Sequence, residues 1–207
     1  LLLLTAVFAY FCGCFNGAVI VSKYILRDDV RNHGSGNAGL TNFFRTFGGP
    51  LTLVVILCDV LKAVIALLVG QWLFRHGYTD FISAEDTTIL WLTFAKYWSG
   101  LFCLLGHVFP CMFHFKGGKG ILSGGTIAIM IDWRGAIVVW GGFLLLTLLT
   151  RYVSLGFPFI SWYCYPVPMI VVLGFILGGL IIWMHRANIR RLLAGNENKL
   201  SFHRKKT

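Results

Sequence analysis

Three short blocks of this 207-residue chain hold the residue types able to do chemistry, and they lie far apart in the sequence. The first, over 31–48, contains Gly34-Ser35-Gly36-Asn37-Ala38-Gly39-Leu40-Thr41-Asn42-Phe43-Phe44-Arg45. Its glycines spell G-x-G-x-x-G, but a dinucleotide site needs a strand before that pattern, and a membrane-length apolar run stands there instead. What remains is a loop whose backbone N–H groups can wrap an anion. Ser35, Asn37, Thr41 and Asn42 add uncharged donors, and the Arg45 guanidinium is a fork suited to phosphate. The plainer alternative is a polar turn that caps an interfacial helix through Ser35 or Asn37.

The second block joins Gly106-His107-Val108-Phe109-Pro110 to Phe115-Lys116-Gly117-Gly118-Lys119-Gly120. A P-loop requires G-x-x-x-x-G-K-[ST]; here Gly120 follows Lys119 and residue 113 is Phe113, so the pattern fails. The ingredients are nonetheless similar: glycines and two lysines lead into a helix whose N-terminus favours phosphate. Lysines meeting lipid headgroups beside flexible glycines is the competing explanation, and His107 could equally be a structural histidine. The third block, His185-Arg186-Ala187-Asn188-Ile189-Arg190-Arg191-Leu192, puts His185, Asn188 and Leu192 on one face of a continuing helix, with Gly195 as its stop. A basic helix lying on anionic lipid explains Arg190 and Arg191 but not His185 and Asn188.

The elements that must position these blocks follow from composition. Residues are 57% hydrophobic and only 13% charged, against about 45–50% and about 25% in soluble domains, and mean hydropathy is +0.76. A soluble enzyme, a disordered chain and a disulfide scaffold are excluded. Apolar stretches at about 2–24, 51–70, 87–106, 119–131, 135–150, 152–165 and 166–184 predict an all-α polytopic membrane protein of about seven transmembrane helices, some short. The chain reads as one domain over 1–207. The N-terminus lacks the basic start of a signal peptide, so the first stretch is expected to be a retained span. The six cysteines show no zinc-like spacing with histidine and read as buried thiols; neither a metal site nor a cofactor is expected.

The net charge of +10 admits nucleic acid, an anionic bilayer face or phosphorylated substrates as partners. Topology decides among them. With the N-terminus outside, 14 of 18 Lys and Arg residues fall on the cytoplasmic side, which predicts N-out, C-in. All three blocks then face the cytoplasm, as one site requires, and nucleic acid drops out. Asp59 and Lys62, within the second span, are intramembrane ionisable residues; an ion pair bracing that helix is the favoured explanation.

Taken together the blocks resemble the three signature motifs of the PlsY-type acyl-phosphate:glycerol-3-phosphate acyltransferases of bacterial inner membranes. The likeness runs from Asp29, Arg31 and Gly34 through Asn37, Thr41, Asn42, Arg45 and Gly48. It continues through Gly106, His107, Phe109, Pro110 and 115–120, then His185, Arg186, Asn188, Ile189, Arg191, Gly195 and Glu197. Asp59 with Lys62, and Thr150-Arg151-Tyr152 with Ser154 and Leu155, resemble family positions as well. The chain departs from the pattern at Ile121-Leu122-Ser123 after its Gly-Lys-Gly, at Ala38 where Pro is common, and at Cys14 where Ser is frequent.

The resemblance implies transfer of an acyl group from acyl phosphate to glycerol 3-phosphate, giving lysophosphatidic acid and phosphate, the first step of phospholipid synthesis. Its partners would be those substrates, membrane lipids and an acyl-phosphate-forming enzyme that supplies the donor. Ser35, Asn37, Arg45, His185 and Asn188 are the expected catalytic residues; Thr41, Asn42, His107, Gly117, Gly118, Lys119 and Gly120 are expected to bind substrate. Glu197 is expected to fasten the C-terminal helix. No histidine begins an H-x-x-x-x-D pattern and carboxylates are scarce in the blocks, so direct transfer without an acyl-enzyme is expected. The base is His185 or a substrate phosphate oxygen. The rival class is a small anion or phosphate-ester transporter, to which short, glycine-interrupted spans would also be suited.

Overall fold

The structure, a computed structural model, describes residues 1–77, 85–150 and 168–196. The short helix expected over 152–165, the 151–155 run, Cys164 and Glu197 lie outside these residues. All regular structure among them is helical. Helix α1 (Leu2–Cys14) leads into α2 (Gly17–Ile20), which continues as a wider π-helical turn over Val21–Ile25; α3 is Leu40–Thr46, α4 Leu51–Gly77 and α5 Glu85–Val108. Helices α6 (Ile121–Ile131), α7 (Trp133–Thr150), α8 (Pro168–Met184) and α9 (Arg186–Leu193) follow. Helix α4 and the 88–113 stretch, which includes most of α5, are each long and apolar enough to cross a bilayer.

The first expected span is broken, bending by 41° between Cys14 and Gly17, and the helix expected to continue from the last span through the third block instead bends by 54° at His185. The first break has a visible cause. Asn16 caps α2 by accepting from the Val19 N–H at 3.1 Å, and its Nδ2 donates to the Ala38 carbonyl at 3.1 Å. A fully buried asparagine thereby ends one helix, starts the next and ties both to the first polar block. Between α6 and α7 the turn closes on Asp132, whose carboxylate accepts from the Arg134 N–H at 2.9 Å.

Helices α1 and α5 pack backbone against backbone. A Cβ at Gly13 would strike the Cys103 carbonyl, and one at Gly106 the Tyr10 carbonyl. Such contact of small residues is how helices associate where lipid removes the hydrophobic drive. The Tyr10 hydroxyl donates to the Phe109 carbonyl at 2.7 Å and fixes the far end of α5 to α1. The main core, including Ala9, Ala66, Leu67, Phe74, Leu104 and Ile170, fills the space among α1, α4, α5 and α8.

Candidate active site

The first block folds around Asn42. Its Oδ1 accepts from the Ser35 N–H at 3.0 Å, and its Nδ2 faces the carbonyls of Val30, His33 and Asn37 at 3.0–3.1 Å. Gly34 and Gly36 take positive φ to make this turn. Asn42 borders the cavity, but its polar atoms are spent on holding the loop. Neither Ser35 nor Asn37 caps α3, whose N-cap is Gly39; the capping alternative fails and both side chains are left to the cavity. Asn42→Ala would remove the acceptor of the Ser35 N–H and the side-chain donor to three loop carbonyls, of which those of Val30 and His33 keep the N–H groups of His33 and Gly36, at about 1 kcal/mol for each bond lost. Thermal unfolding should show that loss directly, and an unchanged melting temperature would refute the staple.

The second block is tied to the first by Arg31. Its guanidinium meets Asp29 at 2.7 Å and donates to the carbonyls of Phe113 at 2.9 Å and Lys116 at 3.4 Å. The hydrogen bond from Arg31 holds the Asp29 carboxyl below the usual carboxylate range. A lowered folded value stabilises above the ordinary value near ~4 and is lost as pH falls through the folded one. Asp29→Asn should therefore lower the melting temperature at pH 7 and not at pH 2. An equal drop at both would sink the assignment.

Gly117 and Gly118 do something other than offer their N–H groups to phosphate. Those groups donate at 3.1 Å to the carbonyls of Val108 and His107, so they end α5. A Cβ on Gly117 would meet the His107 and Val108 carbonyls, and one on Gly118 the His107 ring. Both are glycine for close approach. Gly120 has φ of +77° and is the N-cap of α6, so the first-turn N–H groups of α6, which have no intrahelical partner, begin at the cavity edge.

The three blocks meet around one cavity of about 270 Å³. Ten of the twelve residues expected from the sequence line it: Ser35, Asn37, Thr41, Asn42, Arg45, His107, Lys119, Gly120, His185 and Asn188. Arg45 is exposed on this rim and makes no ion pair among the described residues. Lys119 donates to Oδ1 of Asn188, linking the second block to the third. His185, buried at the α8–α9 bend, has Nδ1 2.8 Å from the Ile181 carbonyl. A carbonyl only accepts, so Nδ1 carries the proton and Nε2 the lone pair.

Asp59, Arg191, Trp140 and the apolar Leu40, Ile121 and Leu122 also line the cavity. Asp59 is legible as an intramembrane charge and Arg191 as part of the third block; nothing around Trp140 marks it. Behind the cavity Lys62 Nζ donates to Asp59 Oδ1 at 2.6 Å, to His107 Nδ1 at 2.6 Å and to the Phe15 carbonyl at 3.1 Å. The pair thus does more than brace α4: it reaches the broken end of α1 and a cavity histidine.

A helical membrane protein with a cationic, hydrogen-bonding cavity at the convergence of three loops is the class that fold and site define. The chain belongs to the glycerol-3-phosphate acyltransferase family, whose model matches residues 3–195. It is 38% identical over 205 residues to the glycerol-3-phosphate acyltransferase of Thermoanaerobacter pseudethanolicus, covering 95% of this chain and 94% of that one. Identity to the enzyme of Halalkalibacterium halodurans is 35%, with 93% and 92% covered. The crystal structure of PlsY, an integral membrane glycerol 3-phosphate acyltransferase, superposes in its glycerol 3-phosphate form with a TM-score of 0.75 at 31% identity, covering 97% and 96%. Its lysophosphatidic acid form gives 0.72 at 30%, covering 97% and 95%.

Proposed function

We propose that this protein transfers an acyl group from acyl phosphate directly to the 1-hydroxyl of glycerol 3-phosphate. The hydroxyl oxygen attacks the acyl carbonyl carbon, the bond from that carbon to the phosphate oxygen breaks, and lysophosphatidic acid and inorganic phosphate leave. The observation that carries this reading is the convergence of Arg45, Lys119, Asn188 and His185 on one cavity that also has an apolar wall of Leu40, Ile121, Leu122 and Trp140. Two phosphates need neutralising charge and one substrate needs an apolar wall; the cavity offers both.

Arg45 and Lys119 neutralise the phosphates. Ser35, Asn37, Thr41 and Asn188 orient phosphate and carbonyl oxygens. Asn42, Gly117 and Gly118 shape the loops that present them, and Gly120 opens α6 toward the cavity. Phosphate is already a good leaving group in a mixed anhydride, so the residual work is positioning and removal of one proton. That proton goes to Nε2 of His185 or to a phosphate oxygen of the donor. His185→Gln separates the two: loss of the base should cost about 10²–10⁴ in kcat, whereas a fall of under about tenfold assigns the proton to substrate.

The whole chain acts as one domain of about seven spans, N-out and C-in, in a bacterial inner membrane with the cavity on the cytoplasmic side. The cationic excess of the three blocks supports that orientation. An acyl-phosphate-forming enzyme supplies the donor. Purified protein in detergent should release phosphate from acyl phosphate only when glycerol 3-phosphate is added. Absence of release, with uptake of phosphate esters into proteoliposomes, would replace this reading with a transporter.

A further inference from the structure

Two charges in a membrane interior are costly and so point to a function, and bracing α4 would need only each other. Lys62 instead distributes all three ammonium N–H bonds: one to Asp59 Oδ1, one to the Phe15 carbonyl exposed by the break after α1, one to His107 Nδ1. An ammonium has three donors and no acceptor. Nδ1 of His107 must therefore offer its lone pair, and the proton of the neutral ring must sit on Nε2. That edge lies beside Gly118, on a ring that lines the cavity. Both side chains of the Lys62–Asp59 pair are only 3% exposed, as is the His107 side chain, so water does not compete for these bonds.

We propose that Lys62 and Asp59 are positioning residues that lock His107 in the Nε2–H tautomer, keeping one neutral hydrogen-bond donor at the cavity wall for an anionic oxygen of the bound substrates. Asp59 aims the ammonium and Lys62 sets the tautomer. His107 makes the contact. The cavity then holds two histidines of opposite polarity. A carbonyl fixes His185 as an acceptor, and an ammonium fixes His107 as a donor. The substrate half of this inference rests on the acyl-transfer reading; the tautomer half does not.

Histidine-selective 15N spectra of the full chain in detergent micelles, assigned by the signal lost in His107→Asn, read the tautomer without substrate. Wild type should show Nδ1 as the unprotonated nitrogen and Nε2 as the protonated one, and Lys62→Met should abolish that preference. In kinetics, Lys62→Met should cost about 100-fold, the size of losing one oriented donor. A fall in kcat assigns the donor to the acyl carbonyl, and a rise in KM for glycerol 3-phosphate assigns it to that phosphate. Because Lys62→Met strands a buried carboxylate, the double variant Asp59→Asn/Lys62→Met provides the control for folding. It removes both charges, so a mere brace would be relieved and activity would return. The relay predicts that the double variant folds and stays about 100-fold impaired.

A wild-type tautomer in either variant, or near-wild-type kinetics in the double variant, overturns the proposal. A wild-type chain that makes no lysophosphatidic acid sinks the acyl-transfer reading alone, because the tautomer spectra still decide the relay.

Discussion

Arg45→Ala should lower kcat/KM for glycerol 3-phosphate by about a thousandfold while leaving the melting temperature almost unchanged. The guanidinium is exposed on the cavity rim with no ion-pair partner among the described residues. Its removal leaves no buried group stranded, so the stability cost should stay within about 0.5 kcal/mol. Against a substrate phosphate the same fork would make two charge-assisted bonds, each about 1.5–3 kcal/mol. Together these reach about 4 kcal/mol, which is roughly three powers of ten in rate. Arg45→Lys keeps the charge and loses the second bond, so it should recover only part of the deficit. Kinetics of Arg45→Ala within about tenfold of wild type would remove Arg45 from the site.

Lys119→Met should cost as much activity and, unlike Arg45→Ala, some stability. Lys119 donates to Oδ1 of Asn188 and so connects the turn before α6 to α9. Methionine keeps the apolar stem but neither neutralises a phosphate nor holds Asn188. About a thousandfold in kcat/KM is expected again, together with a lower melting temperature as α9 loses an anchor. Asn188→Ala distinguishes the two contributions: it removes the anchor and leaves the ammonium in place, so it should share the thermal loss with a smaller kinetic one. A Lys119→Met protein that unfolds like wild type would show that the bond to Asn188 does not anchor α9.

The site was legible where chemistry needs a side chain. Arg45, Lys119, His185 and Asn188 stand out as polar groups in an apolar chain, and they do converge. It was least legible where a residue's polarity serves the backbone. Asn42 looks like one more phosphate donor until its partners are seen to be loop carbonyls. Gly117 and Gly118 look like an anion cradle, yet their N–H groups close α5. No local pattern distinguishes these uses, because the partners lie in three-dimensional proximity to an element already formed. The same holds for Lys62, whose spacing from Asp59 suggests a self-contained pair; His107 is 45 residues away. The long helices among the described residues followed from the length of the apolar stretches. The break at Asn16 did not, because its bond to the Ala38 carbonyl, 22 residues away, leaves no local pattern, and neither did the bend at His185.

The approach of α1 to α5 through Gly13 and Gly106 sets a limit on how this molecule can vary. The first block is anchored through Asn16 at the end of α1, and the second begins where α5 ends. With main chain meeting main chain between them, there are no rotamers there to repack and no side-chain volume for selection to trim. The span between the two loops is a fixed gauge, indifferent to substitutions that retune an ordinary core. A descendant of this protein adapting to a bulkier acyl group would have to make room elsewhere in the cavity lining. There Trp140 lies against Gly125, and exchanging one large side chain can still change the shape of the chamber.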